Sequence, residues 1–230
     1  MKFDKIALSV YFILCIVSIF ANIYDFYGLK LLSKSLLIPV LFFYYLDNVN
    51  KIDVLSCAYF LFNFIGDSVG LFDFKNEIEY LLTPFFLSNV FLMLILLKPL
   101  KKITFSLLSI TALFIVVFFL TFLWFEIVDM FTNSEGNLQA KIAIYGISII
   151  VITFLASYTI INKLNVSNLF LLVCVLCILL SDVFYVLNNF QVNILIFDII
   201  HYSCQIFSYF FFAQYVIFRD KNASKLVKDN

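Results

Sequence analysis

Eight apolar runs follow one another along this chain, with only short polar links between them. Crossing a hydrocarbon layer of about 30 Å at 1.5 Å per residue takes roughly 20 apolar residues, so eight crossings use about 160. A chain of 230 residues then has only short loops and two tails left. The hydrophobic share of 64% and the mean hydropathy of +1.06 exceed what the polar exterior of a soluble domain of this size can cover. The expectation is an all-α, polytopic membrane bundle of eight transmembrane helices, forming a single integral domain over 1–230. The spans read as 6–24, 29–46, 53–72, 79–97, 103–124, 141–161, 167–187 and 195–217. Sustained alternation is missing from the runs, which argues against a β-barrel.

The first run follows Lys2 and Lys5, but Ile19, Phe20 and Ala21 make a poor cleavage site, so it reads as an uncleaved span. Eight spans put both termini on one side. That side carries Lys2, Lys5, Lys51, Lys98, Lys101, Lys102, Lys163, Arg219, Lys221, Lys225 and Lys228, which is 11 of the 15 basic residues. The other side has Lys30, Lys34, Lys75 and Lys141, with Asp73 and Glu135 among its acidic residues. The positive-inside rule places both termini in the cytoplasm, and the expected location is a bacterial inner membrane. Net charge is zero, which leaves no electrostatic footprint for nucleic acid. The five cysteines lie inside apolar runs, and the Cys174/Cys177 pair has no second pair or histidine cluster beside it. They read as packing residues, with no metal site and no cofactor implied.

Polar side chains inside such runs are costly and mark function. Asp67 in the third run and Asp182 in the seventh lie 115 residues apart, half the chain length. A parallel repeat of four helices plus four produces that spacing and sets both carboxylates at one depth. Asn63 precedes Asp67 by one turn, and Ser181 and Tyr185 flank Asp182 on its run. Lys34 enters from the second run and Tyr145 from the sixth. Asp198, His201, Gln205 and Ser208 make a polar stripe on the last. Most of these map to the outer half, predicting a polar pocket inside the bundle that opens toward the outer leaflet. Tyr24, Tyr27, Tyr44, Tyr45 and Trp124 read as interfacial aromatic anchors.

Two carboxyl groups brought together in a low-dielectric interior do not both ionise, so one keeps its proton. A protonated acid beside a carboxylate is the arrangement glycosidases use on an oxocarbenium-like transition state. The same pair would serve an enol ether, protonating the vinyl carbon and then activating water against the cation.

The runs YFLFNFIGD at 59–67, LLVCVLCILLSD at 171–182 and FFFAQYVI at 210–217, in that order, resemble the signatures of the YhhN-type lysoplasmalogenase family. Lys34, followed by Ile38 and Pro39, is similar to that family's early membrane lysine. The resemblance implies an eight-helix membrane hydrolase that cleaves the vinyl ether bond of a lysophospholipid substrate within the lipid bilayer. It further implies Asp67 and Asp182 as the catalytic pair and Lys34 and Gln214 as supporting residues. Asn63, Tyr145, Ser181, Tyr185 and His201 join them as candidate substrate-binding residues from the polar clustering. The chain departs from the family pattern at Asn89 and Leu92, where a His and a Tyr are expected, at Ser35 in place of a proline, and at Phe210 and Phe211 in place of a tyrosine.

A different class stays open: intramembrane aspartates also serve proton relays, as in a proton-coupled transporter, or line a lipid-binding site without catalysis. The glycines that break transporter helices are few here, five in all. A zinc-dependent membrane hydrolase of the alkaline ceramidase type uses several histidines, and this chain has one.

Overall fold

A computed structural model describes residues 3–72, 77–98, 107–132 and 137–228. Among these residues the structure is all helical: α1 (Phe3–Ile23), α2 (Tyr27–Asn48), α3 (Val54–Val69), α4 (Glu77–Leu97), α5 (Leu107–Asp129), α6 (Leu138–Asn162), α7 (Val166–Phe190) and α8 (Leu195–Lys228). Seven of the eight are long and apolar enough to cross a membrane, and the chain is a multi-pass membrane protein. Lys2, Asp73, Lys75, Lys101, Lys102 and Glu135 of the charge pattern, and the first residues of the expected fifth span, lie outside the described residues.

The third helix is shorter than the expected 53–72. It has 16 residues, or about 24 Å, less than a full crossing. Asp53 stands outside it in extended geometry as the N-cap, its carboxylate accepting from the Leu55 N–H at 3.4 Å. At the other end Gly70 closes on the Gly66 carbonyl, and the N–H groups of Leu71 and Phe72 turn to Ser68 and Val69. Such three-residue closures tighten and end a helix. Asp67 therefore sits two residues from the end of α3, whereas Asp182 lies eight residues from the end of α7. The last helix runs past the expected 217 because nothing after Ile217 stops it: the segment to Lys228 contains neither glycine nor proline. Asp220 on that extension accepts from the Asn50 backbone N–H at 2.8 Å and its side-chain amide at 3.0 Å.

Neighbouring helices pack in a closed ring in the order α2, α3, α4, α6, α7, α8 and back to α2. Advancing every label by four turns α2–α3–α4 into α6–α7–α8 and maps the ring onto itself. The two helices outside the ring follow the same shift in part, since α1 packs on α2 and α5 on α6, but α1 also touches α8. A parallel repeat of four helices plus four produces this arrangement.

The core lies toward the end of the bundle that carries the α2–α3 and α6–α7 links. Leu37, Leu41 and Tyr45 of α2 meet Tyr59 and Phe60 of α3, Ile95 of α4 and Phe212 of α8, all fully buried. Tyr59 and Phe212 pack closely with their rings tilted, centroids 3.8 Å apart. Tyr45 is part of this core and does not anchor at an interface; its hydroxyl accepts from the Asp53 N–H at 3.3 Å. Opposite-facing side chains such as Phe114, Phe118 and Phe122 of α5 remain exposed, as lipid-facing residues are.

Candidate functional site

The ring encloses a cavity of about 440 Å³ lined from all eight helices. It reaches the end of the bundle formed by the α1–α2 and α7–α8 links, where Asn22, Asp25, Lys30, Asn189 and Asp198 line it. Deeper in, Asp67 and Asp182 line the same cavity from opposite halves of the chain. On the α5–α6 side the wall is apolar, built by Leu120, Leu123, Ile127 and Ile142, and Ile178 and Leu179 line it one turn before Asp182 on α7.

Each carboxylate has its own partners. Asp67 is 2% exposed; its Oδ1 lies 3.7 Å from the Lys34 ammonium and accepts from Gln205 Nε2 at 2.9 Å. The Tyr209 hydroxyl stands beside it. Asp182 accepts the Tyr145 hydroxyl at 2.9 Å. In both halves the partner comes from the helix before the aspartate, α2 for α3 and α6 for α7, so the sequence spacing and the packing symmetry deliver one arrangement twice with different chemistry. Lys34, 8% exposed, also lies 4.8 Å from the centroid of Tyr202. A buried cation set between a carboxylate and an aromatic face is compensated on both sides.

The neighbouring residues hold this pair in place. Asn63 donates to the Tyr59 carbonyl at 2.8 Å and accepts the Ser88 hydroxyl at 3.4 Å, tying α3 to α4. Asn89 donates to Ser148 Oγ at 3.2 Å, and that hydroxyl donates to the Tyr145 carbonyl at 2.6 Å. His201 Nδ1 lies 2.9 Å from the Ser181 carbonyl and 3.0 Å from its hydroxyl. A carbonyl only accepts, so the proton belongs on Nδ1 and Nε2 is left as an acceptor. Tyr185 packs on the same imidazole, with ring centroids 5.0 Å apart.

Of the residues singled out by sequence, Lys34, Asn63, Asp67, Tyr145, Ser181, Asp182, Tyr185 and His201 all line this cavity. Gln214 lies elsewhere: it is buried in α8 and donates to the Tyr44 hydroxyl at 3.0 Å, away from the cavity lining. Tyr44 is thereby drawn into a contact between α2 and α8. Trp124 is not an outward anchor either. It lines the cavity, donates from Nε1 to the Ala143 carbonyl at 3.0 Å, and packs over Gly146, where only a residue without a Cβ fits under the indole.

Sequence reasoning left Tyr209, Lys30 and Asn89 out of the site and placed Gln205 in the polar pocket without assigning it a contact to Asp67. Gln205 stood in the polar stripe of α8 and Asn89 at a departure from the family pattern, so each had a signal. Tyr209 lies within an aromatic stretch, SYFFF, and has none.

A sequence model of the YhhN family matches residues 29–220, which covers α2 through most of α8. The chain belongs to the YhhN family. Neither the curated proteins nor the solved structures contain a match to it. The matched region takes in both aspartates, Lys34 and every helix of the ring, and leaves α1 outside.

Proposed function

We propose that this member of the YhhN family is a membrane hydrolase that opens the vinyl ether bond of a lysoplasmalogen-type lysophospholipid. One observation carries the reading: two aspartates from the third and seventh helices line a single cavity that is apolar along its α5–α6 side and charged at its mouth. An amphiphile with a polar head, a reactive ether and a hydrocarbon tail matches a cavity that offers both kinds of surface. An ionisable pair facing a cavity inside a membrane bundle, one member buried and the other half-buried, is where acid and base chemistry is expected.

In this reading Asp182, held by the neutral Tyr145 hydroxyl, delivers a proton to the β-carbon of the enol ether. The oxocarbenium ion that forms is stabilised by Asp67, which faces Lys34 and Gln205 and activates a water against the carbon bearing the ether oxygen. The hemiacetal then collapses, breaking the bond from that carbon to the glycerol oxygen. The products are a fatty aldehyde and a glycerophospho-base, and the net consumption is one water. The resemblance noted above and the family membership support the same activity. The domain is a single one, in a bacterial inner membrane with both termini cytoplasmic, so that the cavity opens toward the outer leaflet.

Purified protein offered lysoplasmalogen and its ester-linked counterpart should release aldehyde from the first only, and Asp67→Asn or Asp182→Asn should each abolish release. Undiminished release by either variant would remove the acid–base pair, and proton-driven flux in liposomes without aldehyde would install a transporter instead. For topology, Val192→Cys in a cysteine-free background should label from outside intact cells; labelling only after lysis inverts the orientation.

A further inference from the structure

Lys30 lies one helical turn before Lys34 on α2, and the two ammonium groups stand 5.7 and 4.8 Å from the centroid of the same Tyr202 ring. Their charges are used differently. Lys34 faces Asp67. Lys30 lines the mouth of the cavity, half-buried; among the described residues no carboxylate comes within 4 Å of its ammonium, and its nearest acidic influence is the longer-range one with Asp198. A lysine that lays its aliphatic stem along a cavity wall and keeps its ammonium at the wet end is suited to meet an anion there.

The spacing of the two lysines matches a lipid head. Four residues of helix advance about 6 Å. In a 1-alkenyl glycerophospholipid five bonds separate the ether oxygen from phosphorus, which at about 1.5 Å per bond and with tetrahedral angles span roughly 6 Å. With the ether bond at the level of Lys34 and Asp67, the phosphorus falls at the level of Lys30. Asp25 and Asp198 line the same mouth, and the Asn22 amide donates to Asp198. Two carboxylates beside one lysine disfavour a multiply charged free anion and tolerate a singly charged phosphodiester.

We infer that Lys30 binds the phosphodiester of the lipid head group and so sets the depth at which the ether bond meets Asp67 and Asp182. The inference rests on the reading of the cavity as a lysophospholipid site and adds the residue that recognises the phosphate.

The chain has one tryptophan, Trp124, and it lines the cavity, so its fluorescence reports occupancy without turnover. Protein in nanodiscs would be titrated with 1-O-alkyl-lysophosphatidylcholine, whose saturated ether is not an enol ether, and with 1-O-alkylglycerol, which lacks the phosphate. The wild type should bind the phospholipid about tenfold more tightly than the glycerol ether. Lys30→Gln should erase that difference while keeping affinity for the glycerol ether, and Lys30→Arg should restore most of it. Equal affinities in the wild type, or a Lys30→Gln variant that still prefers the phospholipid, would overturn the assignment. Displacement of the lipid by inorganic phosphate at matched concentration would also overturn it, in favour of a free-anion site. Aldehyde release is measured separately: phosphate-dependent binding without aldehyde removes the hydrolase and keeps Lys30, and aldehyde with phosphate-blind binding does the reverse.

Discussion

The Tyr145 hydroxyl donates to Asp182 Oδ2 across 2.9 Å, joining α6 to α7 inside the cavity. It is the counterpart, four helices on, of the Lys34–Asp67 contact between α2 and α3. One aspartate thus meets a cation and the other a neutral hydroxyl, and in the proposed mechanism this asymmetry separates the base from the acid in an otherwise repeated frame. Replacing Tyr145 by Phe keeps the ring and removes the donor. Hydrogen bonds to carboxylates contribute about 1.5–3 kcal/mol, so kcat for aldehyde release should fall roughly 10- to 100-fold with the melting temperature nearly unchanged. Wild-type kcat in Tyr145→Phe would mean that this hydrogen bond plays no part in turnover.

Lys34 and Asp67 are both buried, and removing one leaves the other charged and unpaired. Lys34→Met should cost about 3–5 kcal/mol of stability, measured by thermal unfolding in detergent. Combining it with Asp67→Asn should recover most of that loss, because a neutral pair is left behind. A double variant no more stable than Lys34→Met would show that the two side chains are not energetically coupled.

Gly66 and Gly146 make close approaches that leave no room for a side chain. A Cβ on Gly66 would meet the Phe85 ring at 2.8 Å, and one on Gly146 would collide with Trp124. Gly66→Ala and Gly146→Ala should each cost about 1–3 kcal/mol through overpacking. In Gly146→Ala the indole must move from its bond to the Ala143 carbonyl, which a shift in tryptophan emission would report. Trp124→Phe should relieve the second substitution and not the first.

Asp53 binds three helices together at the end of the bundle away from the cavity mouth. It caps α3, pairs with Lys98 after α4 at 3.0 Å, and pairs with Arg219 of α8 at 2.9 Å. Burial pushes its carboxyl up, but the Lys98 and Arg219 contacts outweigh this and hold it below the ordinary value of 3.8. A carboxyl depressed in the folded state contributes stability that is complete above its unfolded value and is lost as pH falls through its folded value. Unfolding should therefore become easier below about pH 4, and Asp53→Asn should flatten that dependence while costing about 1 kcal/mol at neutral pH. Unfolding curves for Asp53→Asn that overlay the wild type at both pH 3 and pH 7 would count against this role.

Much was legible from residue order alone. Apolar run length gave eight helices in their observed order because a membrane span must satisfy every backbone group within itself, which leaves the helix as the solution for runs of this kind. The rarity of ionisable residues inside those runs drew attention to Lys34, Asp67 and Asp182, since each is too costly to bury without a use. Gln214 and Trp124 show where that reasoning stops. Both satisfy the same sequence criteria as cavity or interface residues, yet one faces Tyr44 in the core and the other turns inward over Gly146.

The direction a side chain points depends on which helices flank it, and a hydrophobic pattern in which nearly every face is apolar carries little rotational information. Helix number, order and the identity of the buried acids were therefore set by local hydrophobicity, which any segment expresses by itself. Closure of α2, α3, α4, α6, α7 and α8 into a ring, with Tyr145 on one acid and Lys34 on the other, depended on packing between residues far apart in the chain.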